Sequence, residues 1–120
     1  MILGTFREEH PRITLPLPQL GAELDVEFIV DTGFAGDLAL PAHLAGLLDG
    51  TFAGFGERRL ANGQYLKCRT YEIMLDWNDE PRPTEVLVLE GDPLLGTVIL
   101  REHLLQMEMM DGGDVSIEAL

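Results

Sequence analysis

Phe28-Ile29-Val30-Asp31-Thr32-Gly33-Phe34 is the stretch on which the fold turns. The residues before it alternate, with Leu24, Val26 and Phe28 on one face and Glu23, Asp25 and Glu27 on the other. Alternation marks a strand with one wet side, and the unbroken apolar end marks burial on both faces. Asp31 follows directly on that end. A carboxylate there is penalised by desolvation unless it is hydrogen-bonded or shared. Thr32 brings a hydroxyl, and Gly33 permits a tight turn whose backbone amides approach the carboxylate. Two readings stand at this point. Asp31 caps its own turn, as Asx residues often do, or it is a chemical group. The tripeptide alone does not separate them, since Asp-Ser/Thr-Gly arises by chance in roughly one chain in twenty of this length.

Working outward, the elements are short and mostly strand-like. Residues 13–17 read as a first strand, with Pro16 and Pro18 marking an edge or its end. Residues 46–56, with Gly46, Gly50, Gly54 and Gly56, read as a loop; they lack the third glycine and the Lys-Ser/Thr of a phosphate cradle. Asn62-Gly63 signals a hairpin turn of type I′, with a second arm over residues 65–77. Residues 78–84, with Pro81 and Pro83, read as a polar loop, and residues 86–89 as a short buried strand. After Leu94-Leu95-Gly96, the spacing of Ile99, Leu100, His103 and Leu104 predicts a helix over residues 98–106. Residues 107–110 and 115–120 read as strands joined by Asp111-Gly112-Gly113-Asp114. The class is mainly β with one short helix, in a single domain spanning residues 1–120.

Composition narrows the chemistry. The chain has 120 residues and a formal net charge of −13, from 21 acidic against 8 basic side chains. Its one lysine, Lys67, is a poor basis for neutralising phosphates, so neither nucleic acid nor an anionic membrane is an expected partner. The lone serine, Ser116, lacks a nucleophile-elbow context. Cys68 has basic neighbours, Lys67 and Arg69, but in a strand these point to the opposite face, so a plain thiol is expected. His10, His43 and His103 have no ligand spacing, and the acidic pairs lack a calcium ladder, so no metal and no cofactor is expected. One cysteine, no signal-peptide pattern and no membrane-length apolar run lead to the expectation of a soluble cytoplasmic domain.

With these pieces in place the chain resembles the retropepsin-like aspartic peptidases. It is most similar to the bacterial and archaeal aspartyl proteases with an Asp-Thr-Gly-Phe signature. The likeness rests on the apolar strand into Asp31-Thr32-Gly33-Phe34, the hairpin at Asn62-Gly63, the strand at residues 86–89, and Leu94-Leu95-Gly96 with the helix after it. Order and spacing match over about residues 10–120.

The resemblance implies a retropepsin-like acid-protease fold, a closed or folded-over β-sheet with a flap hairpin over about residues 55–77. It implies an aspartic endopeptidase, acting as a homodimer on a peptide or protein substrate. Asp31 would be the catalytic aspartate. Thr32 would bond across the dimer axis, and Gly33 would let amides reach the carboxylates. Leu95 and Gly96 would form the part of the core past which the Asp-Thr-Gly loop threads. Leu60, Ala61, Asn62, Gly63, Gln64 and Tyr65 would form the flap. A peptide-binding or interaction module on the same fold, without turnover, is the alternative. Retroviral members carry an ion pair at positions that here hold Ala35 and Thr97. Both partners are absent together, which strands no charge. A pair of copies carries −26, twice the −13 of one chain. Residues 107–110 and 115–120 are the candidates for an apolar interface to offset that repulsion.

Overall fold

Runs of alternating and β-branched residues, punctuated by glycines, prolines and polar pairs, fold here into strands. In the computed structural model, which describes residues 1–21, 24–59 and 62–120, ten strands form one sheet. They are β1 (Ile2–Arg7), β2 (His10–Pro16), β3 (Asp25–Val30), β4 (Leu38–Leu40) and β5 (Thr51–Arg59) in the first half. The second half supplies β6 (Tyr65–Trp77), β7 (Glu80–Val88), β8 (Leu94–Leu95), β9 (His103–Met107) and β10 (Asp114–Ala119). One four-residue helix, α1 (Ala42–Ala45), follows β4. The spatial order is β5-β6-β7-β4-β8-β3-β2-β1-β10-β9. The expected mainly-β class with one short helix is what the chain adopts.

The sheet is not closed. β5 and β9 are its edges, and among the described residues no ladder joins them. It folds over instead, and Trp77 near one end meets His103 near the other, indole Nε1 donating to imidazole Nε2 at 3.1 Å. The fold-over encloses a core that includes Phe28, Leu38, Leu40, Leu75, Leu95 and Ile117, each less than 2% exposed.

Several expected elements are replaced. No helix forms over residues 98–106. Single-turn bonds run from the Arg101 amide to the Val98 carbonyl and from the His103 amide to the Leu100 carbonyl. Glu102 then turns to φ 61°, and β9 begins. The spacing of Ile99 and Leu100 suits one buried turn as well as a helix, and pairing with β10 from His103↔Ala119 to Met107↔Val115 decides the rest. β9 ends at Met107, so residues 108–110 are not strand.

The polar loop expected at residues 78–84 is instead a tight turn at Asn78-Asp79, both at positive φ (51° and 64°), leading into β7. Pro81 and Pro83 are tolerated because that part of β7 pairs with β6 alone, leaving its other edge without a ladder to donate to. The glycine-rich loop expected at residues 46–56 becomes β5 from Thr51 onward. β1, unforeseen, pairs with β2 and β10. The hairpin expected near Asn62 forms between β5 and β6, and its last described pair is Arg59↔Tyr65. Asn62 Oδ1 accepts from the Gln64 amide at 3.0 Å, an Asx turn in place of the expected I′ geometry. Leu60 and Ala61 lie outside the described residues.

Glu27 on β3 gathers two arginines from neighbouring strands, accepting from Arg7 Nη2 at 2.7 Å and Arg12 Nη1 at 3.2 Å. The hydrogen bond from Arg7 is the main cause that holds the Glu27 carboxyl below its ordinary value. A group lowered in the folded state adds stability above its unfolded value and loses it as pH falls through the lowered one. Glu27→Gln is therefore expected to reduce the denaturant midpoint slightly at pH 7, with the gap to wild type closing in acid. Urea titrations across that range check it; an unchanged gap at pH 3 would contradict the ion-pair account.

Candidate active site

The apolar end of β3 fixes where Asp31 sits. Ile29 and Val30 pair in parallel with Leu94 and Leu95 of β8, and the Asp31 amide donates to the Leu95 carbonyl at 2.9 Å. The chain then turns sharply. The Gly33 amide donates to Asp31 Oδ1 at 2.8 Å, and the Phe34 amide closes the turn on the Asp31 carbonyl at 3.1 Å. The self-capping read from the sequence is thus present, and it uses one of the two carboxylate oxygens. Asp31 is half-buried, and Thr32 and Gly33 are exposed beside it.

Residues 31–37 wrap the end of β8. The amides of Gly96, Thr97 and Val98 donate to the carbonyls of Asp37, Phe34 and Gly36 at 2.9, 2.8 and 3.0 Å. A Cβ on Gly96 would overlap the carbonyl oxygens of Phe34 and Gly36, so only glycine fits. Leu95, fully buried, and Gly96 therefore stand where the loop passes them.

Ala35 is exposed, and the Thr97 hydroxyl donates to the Phe34 carbonyl at 3.3 Å. Bracing comes instead from a pair the sequence did not single out. Asp37, 8% exposed, accepts from Arg82 Nη1 at 3.1 Å and from the Glu85 amide at 3.0 Å. It satisfies the edge of β7 just before β4 takes over the pairing at Leu38↔Val86.

Asp31 opens into a cleft of about 510 Å³ whose lining includes Ile29, Val30, Thr32, Leu94 and Met107. His10, Glu90, Asp92 and Met109 also line it. None of these four was linked to Asp31 by the sequence, because they reach the cleft from β2, the β7–β8 connection and the segment after β9, which only the folded sheet brings together. A larger cleft, about 730 Å³, lies between the β6–β7 turn and β9. Its histidine is already engaged. His103 Nε2 accepts from Trp77, and Nδ1, facing the Arg101 carbonyl at 2.7 Å, must carry the proton. The Asp31 cleft is the better candidate, since its carboxylate keeps an oxygen unspent.

The flap residues Asn62, Gly63, Gln64 and Tyr65 are exposed and do not line the Asp31 cleft. The hairpin's stem does reach the signature loop. Cys68 packs with Phe34, Ala39 and Leu87, and the Arg58 guanidinium carbon lies 4.9 Å from the centre of the Phe34 ring. Burial pushes the Cys68 thiol up, so it stays protonated, as expected of a plain thiol. Among the described residues no group of three or more His, Cys, Asp or Glu is arranged to hold a metal ion. No described helix is long and apolar enough to cross a membrane.

No protein-family model matches the chain, and no curated protein does. Among solved structures, the chain is similar to a retropepsin-like aspartic protease from Rickettsia conorii, known from a crystal structure. The identity is 19%, the match covers 99% of this chain and 91% of that one, and the TM-score is 0.52. The fold is therefore retropepsin-like, an open sheet folded over on itself.

Gly96→Ala tests the threading. Its added methyl meets two backbone carbonyls that cannot swing aside, so a loss of about 3 kcal/mol is expected in urea denaturation. Wild-type stability in that variant would show that the loop has room to relax.

Proposed function

We propose that this chain is one half of an aspartic endopeptidase that works as a homodimer. The observation that carries the reading is the Asp31 carboxylate, held on one oxygen by the Gly33 amide and lining a cleft beside Ile29, Val30 and Leu94. A single carboxylate is half of the chemistry. Two copies with Asp31 facing across a two-fold axis supply the other half. Two carboxylates about 3 Å apart cannot both ionise easily and share a proton. The ionised one takes a proton from water as general base, while the protonated one polarises the scissile carbonyl. The pair titrates as a unit.

Each matched residue has a part in this reading. In it, Thr32, which is exposed, bonds across the axis, and Gly33 keeps amides near the dyad. Leu95 and Gly96 hold the loop from beneath. Asn62, Gly63, Gln64 and Tyr65, with Leu60 and Ala61 between the arms, act as the flap over a substrate held extended, as an added strand. The 19% identical structural neighbour, named as an aspartic protease, favours an enzyme on this fold over a binding module. The chemistry calls for no metal and no cofactor.

Asp31→Asn is expected to cut peptide hydrolysis by about 10³-fold or more while leaving the fold intact. A proteome-derived peptide library between pH 3 and 8 checks it. Cleavage that survives in a clean Asp31→Asn preparation would refute the mechanism, and retention of peptides without cleavage by wild type would establish the module instead.

Dimerisation of two chains of −13 each is expected to tighten with salt and with mild acid, both of which relieve repulsion. Sedimentation equilibrium at low and high ionic strength reads this directly. A dimer constant indifferent to both conditions would contradict it.

A further inference from the structure

The outward face of the β5–β6 hairpin differs from the rest of the surface. Between residues 51 and 71 lie four of the eight cations and one of the 21 acids, Glu57; Arg58 turns inward over Phe34, and Arg59, Lys67 and Arg69 are exposed. That segment carries +3, which leaves −16 for the remainder of a chain of −13.

The register sets Phe52 opposite Tyr71, Phe55 opposite Arg69, Glu57 opposite Lys67 and Arg59 opposite Tyr65. Residues 52 and 55 are an odd number apart, so in a regular strand they would face opposite sides. A register shift between Phe52 and Gly54, with Gly54 at φ 101°, brings them to one side. Their rings meet edge to face at 5.7 Å, Phe52 meets Tyr71 at 5.7 Å, and Lys67 Nζ lies 5.1 Å from the Phe55 centroid. Phe52, Phe55 and Tyr65 nevertheless remain 51%, 60% and 66% exposed. The bulge thus gathers aromatic rings into water and sets them among cations. β5 is also an edge strand of nine residues without proline, so its outer backbone groups are free to pair.

We propose that this face docks an acidic, extended polypeptide segment that adds to the β5 edge. Its carboxylates would meet Arg59, Lys67 and Arg69, and its apolar side chains would lie on Phe52 and Phe55. The charge distribution selects this occupant. A second copy of the hairpin would bring cations against cations. Nucleic acid and anionic bilayers present dense, extended negative charge, which the −16 remainder repels. A short acidic segment meets only the hairpin, because charges further off than about 10 Å are screened. The docking does not depend on what Asp31 does.

Fluorescence anisotropy of a labelled peptide alternating glutamate with valine tests it, using the full chain carrying Asp31→Asn so that no turnover intrudes. Binding is expected at about 50 mM salt and is expected to weaken several-fold by about 300 mM. The double change Lys67→Glu and Arg69→Glu should weaken it about tenfold or more, and restore binding to the same peptide with lysine in place of glutamate. Phe55→Ser, which keeps every charge, should weaken it as well. Circular dichroism confirms that each variant is folded. Equal binding of glutamate and lysine peptides by the unreversed hairpin, or no loss in the charge-reversed variant, overturns the proposal. So does preferential binding of oligothymidylate or phosphatidylserine vesicles.

Discussion

The rest of the site depends on the close passage of residues 31–37 over Gly96. Three consecutive amides, Gly96 to Val98, donate to carbonyls of that loop, and no Cβ fits between them. Buried backbone groups must be paired, so the loop cannot rise without leaving several orphaned. The constraint positions Asp31 from below, through the Leu95 carbonyl, while Gly33 positions it from within its own turn. It also delivers the chain to Asp37 at the register needed to start β4 beside β7. The placement of Asp31 and the sheet topology are thus set by the same few bonds.

Asp37 and Arg82 illustrate how a fold replaces one brace with another. The charges absent from Ala35 and Thr97 are not compensated at those positions. A buried carboxylate further along instead ties the loop to β7 through a side chain and a backbone amide. Removing Arg82 would leave the buried Asp37 carboxylate without its counter-charge, which is the costly case for such pairs.

The parts legible in the sequence were those where local pattern and tertiary role agree. The β3 pattern into Asp31 and the buried strand at Val86 carry their burial in their own spacing, and the hairpin about Asn62 is marked by its turn residues. What escaped was settled by partners distant in the chain. Ile99, Leu100, His103 and Leu104 fit a helical face, yet β10 recruits His103 onward as an edge strand. Pro81 and Pro83 argue for a loop unless β7 is known to have one free edge. Glu8-Glu9 is a tight turn built from residues that seldom take positive φ, so composition gave no hint of it, whereas Asn78-Asp79 uses residues that tolerate that region. Within the candidate site, Asp31 and Gly33 announced themselves, whereas His10, Glu90, Asp92 and Met109 converge on the cleft only because the sheet folds over.

Trp77 is the chain's only tryptophan, and it sits where the two ends of the open sheet meet. Its indole is 4% exposed in sum and stacks edge-on against the His103 ring, with centroids 5.6 Å apart. Among the described residues no strand ladder holds this seam, so it can part while each half keeps its own ladder bonds. The molecule accordingly carries an intrinsic optical reporter of that parting. A red-shift of its emission registers water entering the seam, separately from the far-ultraviolet signal of the strands.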